Sequence, residues 1–375
     1  MPCRRSFALG GGRRRRLKRL ERRRGSAAAA RYNAGVFAAF IAMSFTAAAQ
    51  APLPLAGIGR QRVKCPVCGR TFEAFDVVEE NTAGGVDRDL FARAIGPQPE
   101  FYRISTCPSC LYSGYLTDFT AGGLVPPFVV ERILRDHALP RPAGVTSESD
   151  PREIDARDRY ALAIRCYEWR QRSDESLAWL HLRASWVVRD TASVAPRTPR
   201  LERVLALAQR WHPPRRPGAN QADDELEIVT RAAAGLAEGQ FNRYQEPFVR
   251  FFVAMLLRKQ GENRQAAPLL AALKDDVLLE EPLREAARKM VESIAAEQEH
   301  QRAAAARFQQ AILSERIAEP NRAVALYLTG ELCRRLGRDA EAIRWFDRAL
   351  ASGKLSPELL RWTRQQRAWA QAGVE

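Results

Sequence analysis

Histidine and cysteine are scarce in this chain of 375 residues, which has only four histidines and seven cysteines. The histidines, His137, His181, His212 and His300, are scattered and show no spacing typical of metal ligands. The sequence contains no glycine-rich phosphate loop, no GxSxG nucleophile motif and no HExxH zinc-protease motif. No recognised catalytic centre is therefore indicated, and an enzyme of an unrecognised type stays as an alternative.

Charge outside the N-terminal segment is nearly balanced, which bears on nucleic-acid binding. The net charge is +15, but residues 1–32 contain eleven arginines and Lys18 against Glu21, a net charge of +11. The difference, 15 − 11, leaves +4 for the rest of the chain. Because nucleic-acid-binding domains usually have a basic patch on their folded part, a nucleic-acid partner is disfavoured. A nucleic-acid-binding zinc ribbon remains an alternative because of a small basic cluster, Arg60, Arg62, Lys64 and Arg70.

The N-terminal segment has the features of a targeting sequence. Arg13–Arg24 is almost entirely basic, and the apolar stretch Ala34–Ala49 ends in two overlapping small-x-small sites of the kind that signal peptidase cleaves. The stretch is marginal in length for a bilayer-spanning helix, which needs about 20 residues. We predict that residues 1–51 are a signal peptide or N-terminal anchor, so that the protein is exported or membrane-anchored. A translation start at Met43, which gives a cytoplasmic protein, is the alternative.

Four cysteines lie in two CPxC motifs, and they are Cys65, Cys68, Cys107 and Cys110. A CxxC turn lets two thiolates reach one ion, and two such turns complete a closed tetrahedral shell, as in structural zinc sites. Gly69, after the first pair, permits the positive φ that such a turn often needs. We predict a structural zinc ion bound by these four cysteines, although a four-thiolate site also accepts iron.

Disulfide bonds and thiol redox chemistry are the alternatives for these cysteines. Disulfides form in exported proteins, and a single CxxC can be a redox dithiol. Two matched CPxC motifs without a thioredoxin-like βαβ pattern favour the metal. Cys166 and Cys333 lie on apolar helical stripes and are predicted to be core residues, and Cys3 belongs to the leader.

A linker rich in proline and serine, residues 139–151, separates two regions of different composition. Residues 60–138 have the cysteines, glycines and aromatics of a loop-rich metal module, and residues 152–375 show helical periodicity. We therefore predict a mainly α fold, in which a small zinc-ribbon-like four-cysteine module precedes a domain of antiparallel helical pairs.

Residues 322–352 resemble a tetratricopeptide repeat. Gly330 stands where the first helix approaches its partner closely, and Gly337 lies in the turn between the helices. A weaker copy occurs at residues 246–273. Because stacked helical pairs form curved surfaces that bind extended or helical segments, we predict a non-enzymatic scaffold or adaptor that docks a protein or peptide.

Residues 63–119 resemble the bacterial family known as domain of unknown function 2225. The resemblance rests on the two CPxC motifs and on the segments between and after them, Phe72, Asp87-Arg88-Asp89, Pro99-Glu100-Phe101-Tyr102, Tyr112-Ser113 and Phe119. It extends over about residues 60–375 and implies the fold and the metal site, but no reaction. Leu111 stands where the family has glycine.

Two further groups of residues have both a functional and a structural interpretation. Asp87 and Asp89 could act as an acid–base pair, but Arg88 between them favours a structural ion-pair cluster that supports the metal module. Four tryptophans could line a groove, although packing between helices is favoured, and these are Trp169, Trp179, Trp186 and Trp211.

Overall fold

The computed structural model describes residues 57–120, 124–211, 220–317 and 321–374, and most of these residues are helical. The strands are β1 (Ile58–Lys64), β2 (Thr71–Val77), β3 (Ile104–Thr106) and β4 (Ser113–Tyr115). The helices are α1 (Thr117–Thr120), α2 (Pro127–Leu134), α3 (Ala156–Trp169), α4 (Asp174–Ala192), α5 (Pro199–Ala208), α6 (Gln221–Ala237), α7 (Glu246–Lys259), α8 (Asn263–Leu273), α9 (Glu281–Leu313), α10 (Asn321–Arg335), α11 (Asp339–Ala351) and α12 (Pro357–Val374). The prediction of a mainly α fold with a four-cysteine region at its N-terminal strands is confirmed.

The strands form two antiparallel hairpins, β1–β2 and β3–β4. Along β2, Phe72 and Ala74 are buried while Thr71 and Glu73 are exposed, the alternation expected of a strand with one face on a core. That core also contains residues of α2 and α3, including Ile133 and the thiol of Cys166. The hairpins are therefore packed directly against the first long helix of the helical region.

The helical region is built around α4 and the 33-residue helix α9, which pack along each other. At 1.5 Å per residue, α9 is about 50 Å long. Helices α10, α11 and α12 pack in sequence beside it, and the side chains between them form an extensive apolar core. A Cβ atom on Gly330 of α10 would lie 2.7 Å from Cδ1 of Phe346 on α11, so this close contact requires glycine.

The two helical hairpins that carry the repeat resemblance, α7–α8 and α10–α11, have matching turns. Gly261 and Gly337 have φ angles of +77° and +76°, a left-handed conformation that favours glycine. The residues that follow, Glu262 and Arg338, share a second unusual conformation, with ψ angles of 59° and 58°. The hairpins also contact each other, because Arg264 Nη1 donates to both carboxylate oxygens of Asp339, at 2.9 and 2.8 Å.

No helix within the described part of the chain is long and apolar enough to cross a membrane. The predicted signal peptide or anchor, residues 1–51, lies outside the described residues. The described residues on both sides of the predicted linker belong to one compact unit. A functional boundary at residues 139–151 stays a prediction.

Candidate metal centre

The four cysteines of the CPxC motifs come together at the turns of the two β-hairpins. Their Sγ atoms all lie within 4.8 Å of one another, and the Cys65–Cys110 and Cys68–Cys107 pairs are each separated by 3.6 Å. Thiolates at about 2.3 Å from a tetrahedral zinc ion are ~3.8 Å apart, so the spacing fits one shared ion. All four are free thiols, and two of them are buried while two are half-buried. The cluster could therefore hold a metal ion without any rearrangement of the chain.

The two cysteine turns have nearly the same backbone geometry. The N–H of Gly69 donates to the carbonyl of Cys65 at 3.0 Å, and the N–H of Leu111 donates to the carbonyl of Cys107 at 2.8 Å. Gly69 has φ +75° and Leu111 has φ +65°. A left-handed conformation costs a non-glycine residue about 1–2 kcal/mol, whereas burial of a leucine side chain contributes about 1.5–3 kcal/mol. Because Leu111 is only 3% exposed, burial offsets the strain, and the second turn is as regular as the first.

The predicted linker contacts both cysteine turns from outside. Arg141 donates to the carbonyl oxygens of Pro108 and Ser109, at 2.9 and 2.8 Å, and thereby fixes the second turn. Arg70, next to the first turn, forms a two-pronged ion pair with Glu148, at 3.0 and 2.8 Å. Both contacts are at least partly exposed, so each contributes modestly to stability and mainly orients the turns.

A buried network around Asp118 connects the second hairpin to α3. Arg170 donates to Asp118 at 2.7 Å and to the hydroxyl of Tyr112 at 2.6 Å, and the hydroxyl of Tyr167 donates to Asp118 at 2.5 Å. The carboxylate is only 3% exposed, so these charge-assisted hydrogen bonds are needed to satisfy it. A Cβ on Gly114 would approach the carboxylate to 2.6 Å, so glycine is required beside it.

Three of the clustered thiols, Cys65, Cys107 and Cys110, perturb one another's pKa values because they are so close together. Hydrogen bonds from Cys110 and Cys65 hold the pKa of the Cys107 thiol far below its usual range. Their interaction with Cys107 in turn raises the pKa values of Cys110 and Cys65. These directions favour a thiolate at Cys107 and protons on Cys65 and Cys110 when no metal ion is bound. An ion must displace those protons, so its affinity is expected to rise with pH.

Asp87 and Asp89 lie in an ion-pair cluster, as predicted, but their partners are mostly on the helices. Arg189 of α4 donates to Asp89 at 2.7 Å, and Arg335 of α10 lies 3.1 Å from the same carboxylate. Arg93 donates to Asp87 at 2.9 Å. Burial by itself raises the pKa of a carboxyl group. At Asp89 the charges of Arg189 and Arg335 outweigh burial, and the pKa falls to about 2. At Asp87 burial prevails, and the pKa is raised. The ion-pair prediction is confirmed, and the carboxylates fix the segment 84–93 onto the helices; support of the metal module by the pair stays a prediction.

The same buried network extends through the helical region. The carboxylate of Glu297 on α9 is fully buried and accepts from Asn263 and Gln301, both at 2.9 Å, and from Arg258. Between the two helical hairpins, Arg334 of α10 pairs with Glu262 in the turn between α7 and α8, at 2.6 Å. The sequence reasoning missed these residues. The only available signal was that charged side chains occupy core-facing positions on otherwise apolar helical stripes.

Apolar and backbone contacts also fix the segment 84–93 in place. Phe91 stacks on Trp186, with ring centroids 5.5 Å apart and planes at 28°. The hydroxyl of Tyr327 on α10 donates to the backbone carbonyl of Arg88 at 2.6 Å. Trp169 and Trp179 are half-buried and pack against the apolar cores, Trp179 in contact with Phe308. Trp211 is half-buried beside Phe241 and Phe252. The packing interpretation is confirmed for Trp169, Trp179 and Trp186.

Two of the four histidines are adjacent in space, which the sequence spacing did not indicate. His181 and His300 place their Nδ1 atoms 3.3 Å apart. Burial lowers the pKa of both imidazoles, that of His181 to about 4. His137 is exposed, and His212 lies outside the described residues. Cys166 and Cys333 are buried core residues, as predicted.

Fold and site together define a mainly helical protein with a four-thiol centre at the turns of two β-hairpins. Its sequence matches the family described as "Uncharacterized protein conserved in bacteria (DUF2225)" over residues 58–294 and 289–370. The chain belongs to this family, which confirms the resemblance found in the sequence. No curated protein and no solved structure matches the chain.

Proposed function

We propose that this protein is a non-enzymatic scaffold, stabilised by zinc at the four cysteines, that docks a protein or peptide through its helical region. The proposal rests on the combination of four clustered thiols with two helical hairpins that have matching turn geometry and contact each other through side chains near their turns. Zinc is the proposed ion because structural zinc sites have a closed tetrahedral shell of four ligands. Four thiolates form such a shell and leave no open position for a substrate.

The C-terminal helices α10–α12 are the proposed docking region, because they combine a net positive charge with exposed arginine and tryptophan side chains. Residues 321–374 contain ten basic and five acidic residues, whereas the chain after residue 32 carries only +4. Arg344, Arg361 and Arg364 are exposed, and Trp369 is 41% exposed. Arginine and tryptophan are enriched at protein interfaces, and a basic surface favours an acidic partner. The proposed ligand is therefore an acidic segment of another protein.

A charge-reversed variant tests this docking surface. We expect full-length protein with Arg361→Glu and Arg364→Glu to capture at least tenfold less of its partner from the native host than wild-type protein does. The reason is that repulsion of an acidic segment replaces attraction. Lys289→Glu with Arg302→Glu on α9 changes the net charge equally at exposed positions and should retain the partner. Quantitative mass spectrometry of the captured proteins gives the comparison. Equal capture by both variants contradicts the proposed surface, and capture that disappears with nuclease treatment favours the nucleic-acid alternative.

We also propose that the N-terminal segment exports or anchors the protein, on the basis of its basic and apolar sequence. The intact mass of protein purified from the native host tests this. A chain that begins near Gln50 or Pro52 is the expected result for cleavage, and an intact chain in the membrane fraction is the result for an anchor. A chain that begins at Met43 and is found in the cytoplasm overturns the proposal.

A further inference from the structure

Helices α4 and α9 bring His181 and His300 together, far from the four-cysteine centre in sequence. Their Nδ1 atoms are 3.3 Å apart, and their ring centroids are 5.6 Å apart with planes inclined at 45°. Both residues are half-buried.

The separation of the two nitrogens matches a tetrahedral metal ion. Two imidazole nitrogens bound to zinc at about 2.0–2.1 Å with a tetrahedral angle lie ~3.3 Å apart. Neighbouring positions of a square-planar or octahedral ion at the same bond length would be only ~2.9 Å apart. We propose that His181 and His300 form a second zinc site that links α4 to α9. This proposal is independent of the function proposed above.

The charges around the pair are compatible with a bound cation. The positive charge of Arg307 contributes to the lowered pKa of His181, but Arg307 is itself paired with Asp174 at 2.8 Å and with Glu168 at 3.7 Å. Glu299 adds a negative charge beside His300. Burial keeps both imidazoles neutral at pH 7, which is the form that binds a metal ion.

This second site differs from the cysteine centre in being open. Within the described part of the chain, the only group of three or more metal-binding side chains with a common ligand position is the four cysteines. Two positions of an ion at the histidines are therefore left for water or for a ligand from another molecule. An ion there has fewer protein ligands and exchanges faster than one at the cysteines, while its binding stabilises the pairing of α4 with α9.

Titration of full-length protein with zinc chloride tests the second site. The protein is first loaded with one equivalent of zinc at the cysteines and then titrated at pH 7.5 in a calorimeter. We expect one further equivalent to bind, and we expect His181→Gln and His300→Gln each to weaken this binding at least tenfold. His137→Gln, which removes an exposed histidine, is the matched control and should leave the second binding event unchanged. Cobalt added to the zinc-loaded protein should give d–d absorption without sulfur-to-metal charge transfer.

Two results overturn the proposal. The first is a zinc-loaded wild-type protein that binds no further equivalent, and the second is a further equivalent that survives both glutamine substitutions. If the variants fold poorly, the proposed site is tested on wild-type protein. Its histidines are modified with diethyl pyrocarbonate, and the modified positions are mapped by mass spectrometry. Zinc should then protect His181 and His300 but not His137. Equal modification with and without zinc means that the two rings form only a direct N–H···N hydrogen bond.

Discussion

Replacement of Cys107 by alanine is expected to remove the metal from the cysteine centre and to destabilise the protein by at least about 4 kcal/mol. Metal binding at structural zinc sites contributes directly to folding, with apparent binding free energies of about 10–16 kcal/mol in small peptides. The two hairpins have strands of only three to seven residues. Because such short hairpins are marginal alone, the ion is expected to be the main link between their turns. Urea denaturation and metal content by mass spectrometry measure the two effects.

Cys166→Ala is the matched control for this experiment. Cys107 and Cys166 are both fully buried in the same apolar core, but only Cys107 belongs to the thiol cluster. Burial raises the pKa of Cys166 to about 12, so this thiol is inert at neutral pH. Its loss should cost about 1 kcal/mol and leave one equivalent of metal in place. If both variants keep the metal and unfold at the same urea concentration, the cysteine centre is not a structural metal site.

The same preparation identifies the metal. A colourless protein with one equivalent of zinc agrees with the proposed scaffold, whereas iron in a four-thiolate site is coloured and redox-active. Zinc has no redox chemistry, so its presence also contradicts the redox-dithiol alternative for the CPxC motifs. Metal content thus separates the proposed function from the enzymatic one.

The four-thiol centre could be predicted because the information for it is local. Each CPxC motif specifies its own turn, and a short hairpin needs no distant contact to place two thiols on one side. The positive φ predicted at Gly69 is found, and Leu111 adopts the same conformation without being glycine. The helical hairpins were predictable for the same reason. Within residues 322–352, Gly330 permits the close approach of two helices and Gly337 permits the left-handed turn between them.

The buried ionic network and the histidine pair could not be predicted because their contacts are long-range. Asp89 and Arg189 are 100 residues apart, and His181 and His300 are 119 residues apart. No periodicity within one helix indicates which charge on another helix will face it. A buried charge also has no compositional signature, because the same arginine is ordinary on an exposed surface. The structure alone shows that charges fix the segment 84–93 to the helices.

Replacement of Asp89 by asparagine is the second change with a large expected effect, a loss of about 3–5 kcal/mol in the free energy of unfolding at pH 7. The substitution preserves the shape of the side chain but leaves Arg189 and Arg335 in a fully buried site without their shared carboxylate. Removal of one partner from a buried ion pair is costly because the remaining charge is uncompensated. Asp347→Asn breaks the Asp347–Arg367 pair, whose two side chains are 50% and 38% exposed. This control should cost less than about 1 kcal/mol.

The pH dependence of this loss identifies its cause. The pKa of Asp89 is about 2 in the folded protein, below the value near 3.9 in an unfolded chain. A depressed carboxyl pKa contributes stability that is fully present above the unfolded value and is lost as the pH falls towards the folded value. The difference between wild type and Asp89→Asn should therefore be largest above pH 5 and shrink by about 2–3 kcal/mol between pH 5 and pH 2. The raised pKa of Asp87 acts in the opposite direction, and because the charge of Asp89 is one of its causes, part of this effect is lost in the variant and reduces the pH-dependent difference. A difference that stays constant over this pH range means that packing of the side chain, rather than its charge, fixes the segment 84–93 to the helices.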